Sequence, residues 1–118
     1  KPTENRFDYN CLYFTVNQFY KAAHDLERCT LEVTYYDGAP GTRFRVQYDS
    51  ATDVPPHDGA YRATKPVALQ GSEKWKKATF QLSRVRFAGR QNGGADFRLW
   101  INKPTLVVKS VTLRPESP

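Results

Sequence analysis

Arg43, Arg45 and Gln47 recur at every second position, and Arg98 and Trp100 repeat that spacing later in the chain. Guanidinium forks match the paired oxygens of carboxylate or sulfate, and planar amides read hydroxyls. Flat indole and phenol rings offer a face to the C–H-rich side of a sugar ring. This is the chemistry of binding. Residue types that catalyse are present but not in a catalytic arrangement. His24 and His57 stand without a second ligand at metal spacing, and Cys11 and Cys29 form no metal motif. There is no Gly-x-Ser-x-Gly, His-Glu-x-x-His or phosphate-loop pattern, and no helical pattern follows Gly93-Gly94 to complete a phosphate cradle. The chain is not expected to be an enzyme.

Side-chain parity along extended segments decides which aromatics could serve a ligand, because successive residues of a strand point to opposite faces. Phe14, Phe44, Phe80 and Phe97 share their faces with Leu, Val or Ile and are expected in the core. Tyr35 and Tyr48 fall on the same faces, with hydroxyls that need partners. Tyr13, Tyr36 and Trp100 fall on the opposite faces, beside Arg43, Arg45, Gln47 and Arg98. A Trp on a non-core face leaves a large apolar plate wet, which points to a use. Trp100 is therefore the leading candidate, with Tyr36, Tyr13, Arg98, Arg45, Arg43 and Gln47 as the rest of the ligand-binding set. Burial of Trp100 under a loop, and cross-strand pairing of Arg43 and Arg45 with Glu32, are the competing structural readings.

The elements that must position these groups are short and extended. Period-2 alternation appears in 12–17, 31–36, 43–48, 77–82 and 96–101, with weaker stretches at 65–70 and 106–113, the last with room for a β-bulge. Turn chemistry separates them, most strongly at Asp37-Gly38-Ala39-Pro40-Gly41. The one helical candidate, 20–28, is at most about two turns. With no crossover helices, 118 residues organised this way predict one all-β domain, an antiparallel β-sandwich or jelly roll, spanning 1–118 with its core at about 9–114. The termini read as linker, so a module of a longer polypeptide is expected. No apolar run approaches the ~18 residues of a membrane span. Residues 1–61 carry six basic against nine acidic residues and 62–118 carry twelve against three, a lopsidedness that favours anionic partners. Cys11 and Cys29, each at the start of a strand, are expected to remain unbridged.

The order "LYFTVNQFY", "LEVTYYDG", "FRVQYDS", "EKWKKATFQL", "RFAGRQNGGADFRLW" and "LVVKSVTL" resembles the galactose-binding-domain-like β-sandwich modules appended to bacterial glycoside hydrolases and polysaccharide lyases. The resemblance covers roughly 9–113, and its most specific pieces are the Tyr-Tyr-Asp-Gly turn and 86–98. It implies a non-catalytic module that targets a parent catalytic domain of the same polypeptide to polysaccharide, including acidic polysaccharide, outside the cell or at its surface. The alternative is a structural sandwich packed on the catalytic domain without binding sugar; nucleic acid ranks last as a partner. In such modules a Trp at the place of Trp75 plugs the end of the sandwich. No cofactor is implied beyond the structural calcium that loops of similar modules often hold. Calcium takes six to eight oxygens, whereas this loop offers Asp96 and Asn92, so an Asp96 paired with its flanking arginines Arg90 and Arg98 is the heavier expectation.

Overall fold

In the computed structural model, which describes residues 10–55 and 57–116, the seven alternating segments become strands of two antiparallel sheets, and a two-residue strand at 62–63, which no alternation marked, makes the eighth. They are β1 (Cys11–Phe14), β2 (Cys29–Tyr36), β3 (Arg43–Tyr48), β4 (Arg62–Ala63), β5 (Val67–Ala68), β6 (Trp75–Leu82), β7 (Phe97–Ile101) and β8 (Val108–Pro115). The larger sheet has the order β1-β7-β3-β4, with β5 also on β3; the smaller has the order β6-β2-β8. The chain is an all-β antiparallel sandwich, as the alternation implied.

The inward residues of the two sheets meet in one core. Leu31 and Val33 of β2, Phe44 and Val46 of β3, and Leu99 of β7 are fully buried. Phe44 ties the layers together, edge-on to Tyr35 at 5.0 Å and to Phe80 at 6.0 Å. Phe97 stacks on Phe14 at 4.9 Å. The buried Tyr48 hydroxyl donates to the Ser83 carbonyl at 2.9 Å, the partner its position required. The β2–β8 pairing shifts register at Thr34/Tyr35, a bulge at the start of β8, and at the other end β8 pairs with β2 as far as Pro115 opposite Cys29, past the boundary expected at 114. Glu116 then pairs with Arg28 at 3.3 Å. The remaining linker-like residues, 1–9 and 117–118, lie outside the described residues.

Two elements differ from expectation. The helix α1 occupies Gln18–Ala23 instead of 20–28. Asn17 starts it early, its Oδ1 accepting from the amides of Phe19 (2.8 Å) and Tyr20 (3.1 Å). Asp25 ends it early by accepting the Glu27 amide into a local turn at 3.1 Å. The segment 65–70 contributes only β5, because Pro66 has no amide to give a ladder. Cys11 and Cys29 lie in strands of different sheets, and no bond joins them.

Three fully buried aspartates hold the loops between strands. Asp37 accepts from the amides of Gln70, Gly71 and Ser72 and pairs with Lys76 at 3.2 Å. Asp49 accepts from the amides of Ala88 and Arg90 and pairs with Arg90 Nε at 2.8 Å. Asp96 accepts from the amides of Val16 and Gly89 and pairs with Lys21 at 2.9 Å. A buried charge is tolerated only with such a full set of partners. Together Asp49 and Asp96 fix the segment leading into β7, and with it the arginine and tryptophan that β7 carries.

Candidate functional site

β7 lies between β1 and β3, so the outward residues of three strands form continuous rungs across the larger sheet. One rung is Cys11, Trp100 and Arg45; the next is Tyr13, Arg98 and Gln47. Arg43 follows on β3, two residues before Arg45. Six of the seven candidates therefore share one outer face: Trp100, Arg98, Arg45, Arg43, Gln47 and Tyr13.

Within this face the aromatic rings hold guanidinium groups. The Arg45 guanidinium lies 4.7 Å from the centre of the Trp100 ring. Arg98 is more tightly bound. Its Nε donates to Gln47 Oε1 at 2.6 Å and a terminal nitrogen donates to the Tyr13 hydroxyl at 2.7 Å. Its plane also lies 4.2 Å from the Tyr61 ring centre and 5.6 Å from that of Tyr13. Each such contact contributes about 0.5–1 kcal/mol where water reaches it and more where it does not. Trp100 is half-buried, with Arg45 stacked on it, and is not the bare plate expected of it.

Two loop residues extend the face. Tyr61 backs Arg98 and accepts the Asn92 amide on its hydroxyl at 2.9 Å, while the Asn92 side chain reaches the Tyr13 hydroxyl at 3.3 Å. Beyond them opens a polar cleft of about 380 Å³ lined by His57, Asp58, Tyr61, Arg90 and Asn92. Gln91 anchors this corner from below, its amide donating to the carbonyls of Gln47 and Ala60. Neither Tyr61 nor Asn92 sits in a strand, so parity carries no signal for them. The one hint is that each lies in a loop that leads into a strand of the larger sheet, Tyr61 into β4 and Asn92 into β7.

Other candidates fall elsewhere. Tyr36 belongs to β2 in the smaller sheet, edge-on to Trp75 at 5.4 Å, and cannot share a ligand with Trp100. Trp75 does not plug the end of the sandwich. It is 49% exposed at the start of β6, with the Lys109 ammonium 5.6 Å from its ring. Glu32 is also on β2 and meets Lys77 and Arg114 at 3.8 and 3.9 Å, so the expected pairing with Arg43 and Arg45 does not form. Asp96 pairs with Lys21, and its flanking arginines Arg90 and Arg98 turn to Asp49 and to Gln47 with Tyr13. With both oxygens taken by internal donors, Asp96 fits a loop anchor better than a calcium ligand. Among the described residues, no group of three or more His, Cys, Asp or Glu is placed to hold a metal ion.

Compared with models of known families, with curated proteins and with solved structures, the chain gives no match. What fold and geometry define is an all-β sandwich bearing an arginine–aromatic face on its larger sheet.

Proposed function

We propose that the chain is a non-catalytic carbohydrate-binding module that holds a parent glycoside hydrolase or lyase of the same polypeptide against polysaccharide, outside the cell or at its surface. The observation that supports this reading is the double rung of Tyr13, Arg98, Gln47, Trp100 and Arg45, a flat array of donors stiffened by rings. Held in place before a ligand arrives, such groups lose little freedom on binding. Single sites of this kind bind weakly, and tethering to the enzyme supplies the benefit through effective concentration. Affinity electrophoresis of the isolated chain through gels containing individual polysaccharides tests it. Retardation by at least one polymer, lost in Arg98→Ala and in Trp100→Ala, supports the reading; no retardation by any polymer counts against it.

The second reading, a structural sandwich packed on a catalytic domain, draws on another observation. Between the edge strands β1 and β8 lies an apolar cleft of about 890 Å³, walled by Phe14, Val16, Phe97, Val111 and Leu113. At its mouth Phe19 is 84% and Leu12 42% exposed. Apolar surface of this kind commonly marks an interface. In that reading the cleft, not the arginine face, carries the function, and Phe19→Ser weakens association with the parent domain while Arg98→Ala leaves it unchanged.

A further inference from the structure

We infer that the ligand of the arginine–aromatic face is an anionic saccharide, a chain bearing carboxylate or sulfate groups, with Arg45 and Arg43 as its charge-reading residues; the inference rests on the carbohydrate-binding reading. The two sheets treat their outward cations differently. On the smaller sheet, Glu32 stands between Lys77 and Arg114. On the larger sheet, the outward positions Arg43, Arg45 and Arg98 have no acidic neighbour in the rungs, and among the described residues none of the three pairs with a carboxylate. Every buried aspartate is already taken by Lys76, Arg90 or Lys21. The positive charge of this face is thus left for a ligand.

The state of Arg45 carries the argument further. Its Nε is buried and has no hydrogen-bond acceptor among the described residues, while its plane rests on Trp100. A desolvated donor without an acceptor is costly, and a turn of the guanidinium on Trp100 that brings Nε to an incoming oxyanion recovers that cost. The fork geometry of a guanidinium fits a carboxylate or sulfate through two parallel bonds, which a neutral hydroxyl cannot supply. Arg45 and Arg98 occupy diagonal positions on neighbouring strands, about 7–8 Å apart by sheet geometry. That span is on the scale of one sugar residue. Arg98 is spent on Gln47 and Tyr13, so it shapes the floor. Arg45 reads the charge, and the exposed Arg43 extends the cationic strip along β3.

The test compares polymers that differ only in charge. The isolated chain is run in affinity electrophoresis through polygalacturonate and carboxyl-reduced polygalacturonate, and through dextran sulfate and dextran, with single-stranded DNA binding measured in solution at matched ionic strength. The expected result is at least tenfold tighter binding to one charged polymer than to its neutral counterpart, and the pair that shows it identifies carboxylate or sulfate as the source. Arg45→Ala should lose at least tenfold of that binding, Arg45→Lys should recover part of it, and the exposed Arg43→Ala, which leaves folding intact, should lose several-fold. Equal binding to the charged and neutral members of both pairs overturns the inference but leaves the carbohydrate reading standing. Absence of binding to all four polymers overturns the inference, and the carbohydrate reading falls with it when no other polysaccharide gel retards the chain. Binding of DNA as tightly as the preferred polymer also overturns the inference, because the face then reads charge without reading sugar.

Discussion

Lys21, on the short helix α1, closes a 2.9 Å ion pair with the fully buried Asp96 just ahead of β7. The pair joins the only α-helix among the described residues to the strand that carries both Arg98 and Trp100. Asp96 also accepts the Val16 and Gly89 amides, so a single carboxylate gathers the end of β1, the loop before β7 and the helix. Lys21→Ala leaves that carboxylate buried without its counter-charge. Removing one partner of a buried pair costs about 3–5 kcal/mol, a large share of the ~5–15 kcal/mol that holds a domain folded. Urea unfolding should show a markedly lower midpoint with an unchanged slope; a midpoint within error of the parent's would refute the anchoring role.

Asp37 predicts where acid unfolding begins. Hydrogen bonding from the Ser72 side chain, then from the Gln70 and Ser72 amides and from Lys76, holds its carboxyl well below the usual range, against the opposing effect of burial. An unfolded Asp titrates near 3.9. The folded value lies below the unfolded one, so this contribution is complete above about pH 4 and is lost as pH falls further through the folded value. Stability of the parent should therefore drop on acidification below about pH 4, and Asp37→Asn, less stable at neutral pH, should show a flatter profile there. Parallel profiles for the two proteins would remove Asp37 from the explanation.

Parity made the inward faces legible in the sequence. Phe44, Val46 and Tyr48, or Phe97, Leu99 and Ile101, alternate with polar residues, and that pattern is local to each strand. Which strands become neighbours is not local. The order β1-β7-β3 brings together segments some thirty to ninety residues apart, and only that order decides that Trp100 faces Arg45 while Tyr36 goes to the other sheet. The same fact moved Glu32 away from Arg43 and Arg45. Tyr61 and Asn92 were less legible still, because loops have no period. The roles of Asp37 and Asp49 as anchors depend on backbone amides converging from 70–72 and 88–90, which no spacing rule encodes.

Cys29 should behave as an inert core group until the domain opens. Burial first, and the nearby Glu116 charge second, push its thiol up to about 12. An unfolded thiol ionises near 8.5. The folded value is the higher, so the contribution of Cys29 is fully present below about pH 8.5 and falls away between there and about 12, by up to tenfold in the folding constant per pH unit. In a Cys11→Ser background, an aromatic disulfide reagent at pH 7.5 should label Cys29 no faster than the domain unfolds. Rapid labelling of the native protein would contradict this placement.

Tyr61 offers the sharpest separation of ring from hydroxyl at the candidate site. Its ring backs the Arg98 guanidinium at 4.2 Å, while its hydroxyl accepts the Asn92 amide at 2.9 Å. If the face works by holding arginines rigid, the ring matters more than the hydroxyl. Tyr61→Phe keeps the stack and gives up one partly exposed hydrogen bond, so polymer binding should change less than threefold. Tyr61→Ala frees one side of Arg98, which still holds Gln47 and Tyr13, and binding should weaken about five- to tenfold, the range of a cation–π contact of roughly 1 kcal/mol or somewhat more. The loss should appear mainly as faster dissociation, since the charge that attracts an anionic chain is unchanged. Equal losses in the two variants would mean that the hydroxyl's hold on the loop at Asn92, and not the stack on Arg98, shapes the site.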